Sequence, residues 1–200
     1  MGMGGYRLGD HMRLLVQTPT IIMLGTALGK ETPQLGLVDQ VLTGAGLKVD
    51  VVPGIDAWLK CHLATILPLA DGIYGAATDN YRIARTPGLM RVVARAIKES
   101  LHAIAQLGYP LLPKQLSKIT LLPAGLLAWM FRKRFATIES EIGLAGHARA
   151  ARAEVQHLCE EFQLLVDQSG AATPNLAYLK RFLDPDVPTI SEGVKHIDIA

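Results

Sequence analysis

This sequence of 200 residues has no large excess of either charge sign, only two cysteines and no long apolar run. Twenty Lys and Arg residues stand against 18 Asp and Glu, so the formal net charge is only +2. This near balance gives no case for a nucleic-acid-binding surface. The longest apolar run, residues 121–131, contains Pro123 and Gly125 and is shorter than the roughly 20 residues that cross a bilayer. We therefore expect no membrane span.

The two cysteines, Cys61 and Cys159, each lie beside apolar residues within a predicted helix. They are too few for a disulfide framework, and buried, reduced cysteines are typical of cytosolic proteins. The first residues also lack a basic region followed by an apolar core, which is the pattern of a secretory signal peptide. The sequence therefore predicts a cytoplasmic protein.

The first 54 residues predict a small α/β segment. Residues 1–11 are rich in glycine and predict a loop. Runs of apolar and β-branched residues, bounded by proline and glycine, then predict a pair of strands at 12–16 and 20–24, a helix at 32–42 and a third strand at 49–52. So few elements cannot cover both faces of a sheet. We expect residues 1–54 to be the end of a larger α/β unit.

From residue 55 onward the pattern is helical, so the fold class is mainly α. Helices are predicted at 55–75, 79–86, 87–107, 113–119, 123–135, 138–168 and 174–183. About 130 residues suffice for one hydrophobic core, which makes residues 55–183 a single helical domain. Residues 184–200 contain Pro185 and Pro188 without a clear period, and they predict a tail.

Two glycine patterns fail as phosphate-binding loops. The segment from Gly25 to Lys30 has three residues between its glycines instead of four, and Glu31 replaces the Ser or Thr that would reach magnesium. The segment from Gly2 to Arg7 follows no predicted strand, opens no predicted helix and lacks the last glycine of a dinucleotide fingerprint. No intact cofactor-phosphate loop is therefore expected in this sequence.

Histidine and cysteine spacing predicts no metal site. Cys61 and His62 are adjacent and point to different faces of a helix, and His147 and His157 are separated by about 280° at 100° per residue. No nucleophile with a local histidine and acid partner is visible either. The histidines at 62, 147 and 157 are interpreted as ordinary helix residues.

Lys60 is the first candidate for chemistry. Residues 55–75 carry an apolar stripe expected to face the core: Ile55, Leu59, Leu63, Ile66, Ala70 and Ile73. Lys60 lies about 80° from the centre of that stripe, where a lysine can bury its stem and direct its amine into a groove. The alternative is an ordinary helical ion pair between Lys60 and Asp56, four residues earlier.

Glu154 is the second candidate. It lies at the edge of the apolar stripe of its helix, and no Lys or Arg stands three or four residues away to form a local ion pair. Alanines at 150, 151 and 153 leave the surface around it shallow. A carboxylate there could accept hydrogen bonds from a polar ligand in a hollow, or it could simply be exposed to solvent.

Six segments, of which the first contains Lys60 and the fifth contains Glu154, follow one another along the chain: Trp58–Lys60, Ile66–Ala70, Ala96–Glu99, Gly108–Pro110, Ala151–Glu154 and Gly170–Asn175. Together they resemble the C-terminal domain of the ketopantoate reductase (2-dehydropantoate 2-reductase) family, over residues 4–183. The resemblance implies the helical fold of the 6-phosphogluconate dehydrogenase C-terminal type, preceded by the end of a Rossmann-type nucleotide-binding domain. It also implies a homodimer.

What the resemblance implies for function is specific. In that family a hydride passes from NADPH to the keto carbon of a 2-keto acid. The lysine matching Lys60 is the general acid, and the glutamate matching Glu154 hydrogen-bonds the substrate. The two side chains are therefore expected to share one cleft. The glycine-rich turn of the cofactor domain is not in this sequence, so the chain alone is not expected to bind NADPH well.

Three departures from the family pattern make the expected pocket more apolar. Ala64 and Leu67 stand where the family has asparagines, and Ile142 stands at the position of a serine, with Ser140 nearby. A bulkier or more apolar 2-keto acid than ketopantoate, or another carbonyl compound, is therefore the expected substrate. The alternative from another functional class is a non-catalytic helical module that dimerises through residues 121–131.

Overall fold

The computed structural model describes residues 3–16, 21–30 and 32–199, which are mainly helical. The strands are β1 (Met3–Leu8), β2 (His11–Val16), β3 (Ile21–Leu24) and β4 (Lys48–Val51). The helices are α1 (Pro33–Gly44), α2 (Ile55–Gly75), α3 (Asn80–Ala84), α4 (Pro87–Gln106), α5 (Leu116–Leu121), α6 (Ala124–Phe135), α7 (Ile138–Ser140), α8 (Gly146–Ala150), α9 (Arg152–Ser169) and α10 (Pro174–Lys180). A π-helical turn, Glu141–Ala145, joins α7 to α8, and a 3₁₀ turn, Arg181–Leu183, follows α10.

The prediction of a loop over residues 1–11 is wrong for the described part of that segment. β1 pairs with β2 in an antiparallel hairpin that runs from Met3 opposite Val16 to Leu8 opposite His11. Gly9, with φ of +62°, makes the turn. Glycine is a poor strand former, which is why composition indicated a loop, but the cross-strand hydrogen bonds of a hairpin override that preference. Residues 1, 2 and 20 lie outside the described residues.

The next segment is a parallel β-α-β unit. β3 pairs with β4, and α1 makes the connection between them. Thr32 caps α1 by accepting a hydrogen bond from the backbone N–H of Leu35 at 3.3 Å, and Pro33 occupies the first turn, as the sequence indicated. The two predicted strands at 12–16 and 20–24 do not pair with each other. Each instead belongs to a separate two-stranded sheet.

The hydrophobic core belongs to the helices and is centred on α4. This helix packs against α2, α6, α9 and α10, and its buried side chains include Leu89, Val93, Ile97, Leu101 and Ile104. Among the described residues, the buried apolar side chains all lie from Ile55 onward. Within the described ranges, every helix is too short or too polar to cross a membrane.

The predicted continuous helix over 138–168 is interrupted. The π-helical turn follows α7, and Ala151, with φ of −120° and ψ of 30°, separates α8 from α9. The β1–β2 hairpin packs on this region, where Tyr6 lies so close to Gly146 that an added Cβ would be 2.2 Å from the ring. Packing of a distant strand therefore contributes to the irregular backbone here, a cause that helical periodicity does not reveal.

The segment after α10 extends along α3 and α4 in the described structure. Ile190 donates its backbone N–H to the carbonyl of Gly75 at 2.9 Å, and Gly88 donates to the carbonyl of Val194 at 2.8 Å. Arg85 forms an ion pair with Glu192 at 2.6 Å. Residues 184–199, predicted as a tail, therefore contribute backbone hydrogen bonds and side-chain contacts to the helical domain.

Candidate functional site: a cavity beside α2

A cavity of about 180 Å³ lies between α2 and the chain from the π-helical turn to α9. Its wall is mostly apolar and is formed by His62, Leu63, Ile66, Leu67, Ala70, Gly143, Leu144, His147, Ala148, Glu154, Val155 and Leu158. Only His62, His147 and Glu154 in this set are titratable. Such a lining, apolar with a few polar groups, is typical of small-molecule sites.

Tyr74 and Arg152 hold the two sides of the cavity together. Tyr74, buried on α2, donates from its hydroxyl to the carbonyl of Ala148 on α8 at 2.8 Å. The guanidinium of Arg152 lies 4.2 Å from the centre of the Tyr74 ring and donates to the carbonyl of Leu183 at 2.7 Å. Burial raises the pKa of Tyr74 to about 12 despite the nearby Arg152 cation. Tyr74 is therefore a neutral hydrogen-bond donor at physiological pH.

Glu154 lies in the cavity wall, in the first turn of α9. The residue is exposed, and its carboxylate forms no hydrogen bond or ion pair with the other described residues. A negative charge is favourable in the first turn of a helix, where backbone N–H groups point outward. The alanines at 150, 151 and 153, from which the sequence predicted a hollow, do not line this cavity, and the solvent exposure named as the alternative is present. The role of Glu154 stays a prediction.

Lys60 is held by Asp56. Its ammonium makes an ion pair with the Asp56 carboxylate and lies 4.5 Å from the centre of the Tyr109 ring. The Lys60 side chain is 17% exposed. Burial acts to lower the pKa of Lys60, but the hydrogen bond and negative charge of Asp56 outweigh it, so the pKa is raised. Lys60 is therefore a charged group under an aromatic ring, and the helical ion pair named as the alternative is present.

The structure brings Glu154, but not Lys60, to the wall of the cavity. Lys60 stands two residues before His62, the first residue of α2 in the cavity wall, and roughly 90° round the helix from the centre of the wall residues at 100° per residue. The expectation that Lys60 and Glu154 line one cleft is not met by this cavity. The role of Lys60 stays a prediction.

His62 and His147 are the cavity residues that sequence reasoning missed. His62 stacks on Trp58 with ring centres 5.1 Å apart, and burial lowers its pKa, which favours the neutral imidazole. It also lines a second hollow of about 230 Å³ with Trp58, Cys61 and Leu112. Helical spacing relates only residues within one helix. His62 and His147 lie on α2 and α8, which meet through tertiary packing.

The apolar stripe predicted for α2 is partly wrong. Leu59 is 49% exposed, and Leu63 and Ile66 are half-buried in the cavity wall. Ile55, Ala70 and Ile73 are buried as predicted, and Cys61 and Ala64, both 0% exposed, face the core as well. The face that was expected to pack in the core is thus partly the face that lines the cavity.

Three positions carry apolar side chains where the resemblance predicts polar ones, and these side chains make apolar contacts in the structure. Ala64 is buried in the core, and Leu67 lies in the cavity wall. Ile142 is buried, whereas the hydroxyl of Ser140 donates to the carbonyl of Arg134 at 2.7 Å. Ser140 is therefore engaged with the backbone and does not replace the family serine in the cavity.

The β3–α1 turn uses its glycines and its threonine for packing and for internal hydrogen bonds. An added Cβ on Gly25 would lie 2.5 Å from the Cβ of Ile55, so this glycine serves close packing. Gly29 donates its N–H to the carbonyl of Thr26 at 3.0 Å, and the Thr26 hydroxyl donates to the carbonyl of Lys30 at 2.6 Å. The described residues also contain no group of three or more metal-ligating side chains.

No family model, curated protein or solved structure matches this chain. The resemblance to ketopantoate reductases carried by the sequence motifs therefore has no support from such matches. A function has to be argued from the geometry of the cavity and of Lys60.

Proposed function

We propose that this chain is the substrate-binding part of an NADPH-dependent 2-keto acid reductase. The observation that carries the proposal is the cavity beside α2, in which Glu154, His62 and His147 interrupt an apolar wall. The charged Lys60 lies on the same helix, two residues before His62 of the cavity wall. The order of strands and helices, with a parallel β-α-β unit directly before α2, is consistent with the same proposal.

The size and lining of the cavity suit a small acid with an apolar branch. At about 180 Å³ the space is smaller than the usual pocket of a drug-sized ligand. Leu63, Ile66 and Leu144 would contact the branch, while an imidazole N–H of His62 or His147 could donate to a substrate oxygen. Glu154 would accept a hydrogen bond from a substrate hydroxyl. These roles agree with a 2-keto acid that carries an apolar branch and one hydroxyl group.

Lys60 would act on the oxygen that becomes negatively charged during reduction. A cation fixed next to a developing oxyanion stabilises the transition state, and an ammonium can also donate the proton. In the structure the ammonium is bound to Asp56, so a substrate oxygen would have to share or replace that carboxylate. The raised pKa keeps Lys60 positively charged, which suits stabilisation of the oxyanion, although it also makes the ammonium a weaker proton donor.

Two donors of the β3–α1 turn, the Gly29 N–H and the Thr26 hydroxyl, are bonded within the turn and are not free to bind the phosphates of NADPH. The proposal therefore assigns to this chain the binding and orientation of the keto acid. In a fluorescence titration, we expect the isolated chain to give no saturable change with NADPH. Tight saturable binding would contradict this account of the turn.

The proposal is tested by calorimetric titration of the isolated chain with 3-methyl-2-oxobutanoate. We expect Lys60→Met to weaken binding about tenfold, the effect of losing one hydrogen bond to a charged group. Because 3-methyl-2-oxobutanoate has no hydroxyl that could donate to Glu154, Glu154→Gln should weaken by the same factor only the binding of the hydroxylated analogue 4-hydroxy-3-methyl-2-oxobutanoate. Lys118→Met and Glu160→Gln remove exposed groups of the same kinds outside the cavity wall and should leave affinity unchanged. No binding by the unaltered chain, or equal loss in all four variants, would overturn the proposal.

A further inference from the structure

Apolar side chains are exposed on α6 and just before it. Leu126, Trp129 and Met130 are 45%, 51% and 47% exposed, and their spacing of three and four residues places them on one face. Leu121, at the end of α5, is 83% exposed. Leu127, Ala128 and Phe135 on α6 are buried. Helix α6 therefore presents apolar side chains both to the core and to the outside, whereas the outer face of an amphipathic helix is usually polar.

The part of the sequence that contains α5 and α6, between Glu99 and Glu139, carries positive charge only. Residues 100–138 contain no Asp or Glu and have five cationic side chains, which are Lys114, Lys118, Arg132, Lys133 and Arg134. The whole chain has a formal net charge of only +2. The charge is thus strongly asymmetric along the sequence, although the total is nearly balanced. The excess cations flank the exposed apolar residues, with three of them in the last turn of α6.

A basic hollow opens next to the exposed tryptophan. It has a volume of about 460 Å³ and is lined by Tyr81, Ala84, Arg85, Trp129, Arg132, Lys133 and Ala136. The ammonium of Lys133 lies 4.2 Å from the centre of the Trp129 ring. Arg132 is oriented by a hydrogen bond from its Nε to the carbonyl of Ala84 at 2.6 Å. Arg85 is paired with Glu192, and the hydroxyl of Tyr81 donates to Glu141 at 3.1 Å, so Arg132 and Lys133 are the lining cations without a carboxylate partner among the described residues.

We propose that the α6 surface, defined by Leu121, Leu126, Trp129, Met130, Lys133 and Arg134, binds the surface of an anionic lipid bilayer. The apolar members would enter the boundary between headgroups and acyl chains, and the cations would contact the lipid phosphates. The hollow would hold one headgroup between Arg132 and Lys133. This surface lies on the membrane and does not span it.

Charge favours a bilayer over other occupants. A second copy related by a twofold axis through the α6 surface would place Lys133 and Arg134 close to the same cations of its partner. A nucleic acid would complement the charge and could stack on Trp129, but it would leave Leu121, Leu126 and Met130 without an apolar partner. An anionic bilayer complements both the charge and the apolar side chains.

The test is flotation of the full chain with vesicles, either of phosphatidylcholine alone or of phosphatidylcholine mixed with phosphatidylserine. We expect binding to the mixed vesicles only, weakened by salt. The double substitution Trp129→Gln and Met130→Gln should abolish flotation. Lys133→Glu with Arg134→Glu should reduce it by at least 25-fold, since each Lys or Arg near an anionic leaflet contributes about fivefold. Leu164→Gln and Lys48→Glu, at exposed sites on α9 and β4, should change nothing.

A spectroscopic readout locates the contact. The chain has two tryptophans, so Trp58→Phe leaves Trp129 as the only one. Its emission should shift to the blue on binding to the mixed vesicles. Unchanged emission, equal binding to both vesicle types, or full binding by the Trp129→Gln and Met130→Gln variant would overturn the proposal. A dimer in sedimentation experiments without lipid, broken by that variant, would instead assign the α6 surface to a second copy and also overturn it.

Discussion

At the scale of single residues, Asp71 stands out, because it is a carboxyl group that is fully buried on α2. The thiol of Cys159 lies 3.7 and 3.8 Å from its two oxygens, and no ion pair joins Asp71 to a described cation. Burial raises the pKa of Asp71 from 3.8 to about 7, although Cys159 and the more distant Lys180 oppose the shift. Asp71 therefore carries its proton through much of the acidic range in the folded state.

This raised pKa makes the folded protein less stable as the pH increases. Below pH 3.8 both states are protonated, and between 3.8 and about 7 the unfolded chain loses the proton that the folded chain retains. The free energy of unfolding therefore falls with rising pH, by roughly 4 kcal/mol in total. We expect Asp71→Asn to be more stable than the unaltered chain at pH 8, with the difference nearly absent at pH 4, in urea unfolding.

The matched control for Asp71 is Asp198→Asn, which removes an exposed carboxylate and should leave the pH dependence unchanged. If Asp71→Asn lost stability at pH 8, or if its unfolding midpoint fell with pH as steeply as that of the unaltered chain, the buried carboxyl would not be the group responsible.

The residues of the candidate site show what local spacing can and cannot predict. The Lys60–Asp56 ion pair follows from a spacing of four residues on one helix, and the sequence named it as an alternative. For Glu154 the sequence left open a hollow of small residues or exposure to solvent; the side chain is exposed, and the small neighbours do not line the cavity that it borders. His62 and His147 come together only because α8 packs on α2, and the break that positions α8 depends on the hairpin at the start of the chain.

At the scale of elements, α10 begins on a carboxylate supplied by another helix. Glu99 of α4 accepts hydrogen bonds from the backbone N–H groups of Asn175 and Leu176, each at 3.0 Å, and from the Asn175 side chain. Thr173, at the usual capping position of α10, makes no capping bond with its side chain. A charge-assisted acceptor from α4 thus satisfies N–H groups that the start of a helix leaves free.

This arrangement predicts unequal effects of two substitutions at one helix start. Glu99→Ala leaves the N–H groups of α10 unpaired in a partly buried place, so we expect a loss of about 2–3 kcal/mol in the free energy of unfolding. Thr173→Ala should change it by less than about 0.5 kcal/mol, because no hydrogen bond is lost. Urea unfolding measures both, and equal losses would show that Glu99 is not the cap.

Local signals predicted the helices more closely than the irregular segments. The bounds of α2, α4 and α6 follow the proline and glycine that flank them and agree within about two residues. The same signals missed β1, because its glycines disfavour a strand on their own. They also missed the interruption between α7 and α9, because the helical pattern continues across Ser140, Gly143 and Gly146 without a clear stop signal. Both misses concern the contact between the hairpin and the chain around the π-helical turn.

At the scale of the whole molecule, burial is distributed very unevenly. α1 has no buried residue, and Leu37 and Val41 on it are 62% and 63% exposed. α4, in contrast, has buried side chains along its full length. The sequence placed a boundary near residue 54 on the change from mixed to helical patterns. The boundary itself stays a prediction, but the difference in burial predicts different local stabilities on its two sides, which can be measured.

We expect residues 21–30 and 32–54 to open without unfolding of the helices. Backbone hydrogen bonds that are supported by few buried contacts break in local fluctuations, so the amides of α1 and β4 should exchange at least about tenfold faster than those of α2 and α4. Hydrogen exchange read by mass spectrometry measures this. Ile97→Val removes a buried methyl group from α4 and should speed exchange in the helices only. Equal protection throughout, or faster exchange in α1 on Ile97→Val, would mean that both parts unfold as one cooperative unit.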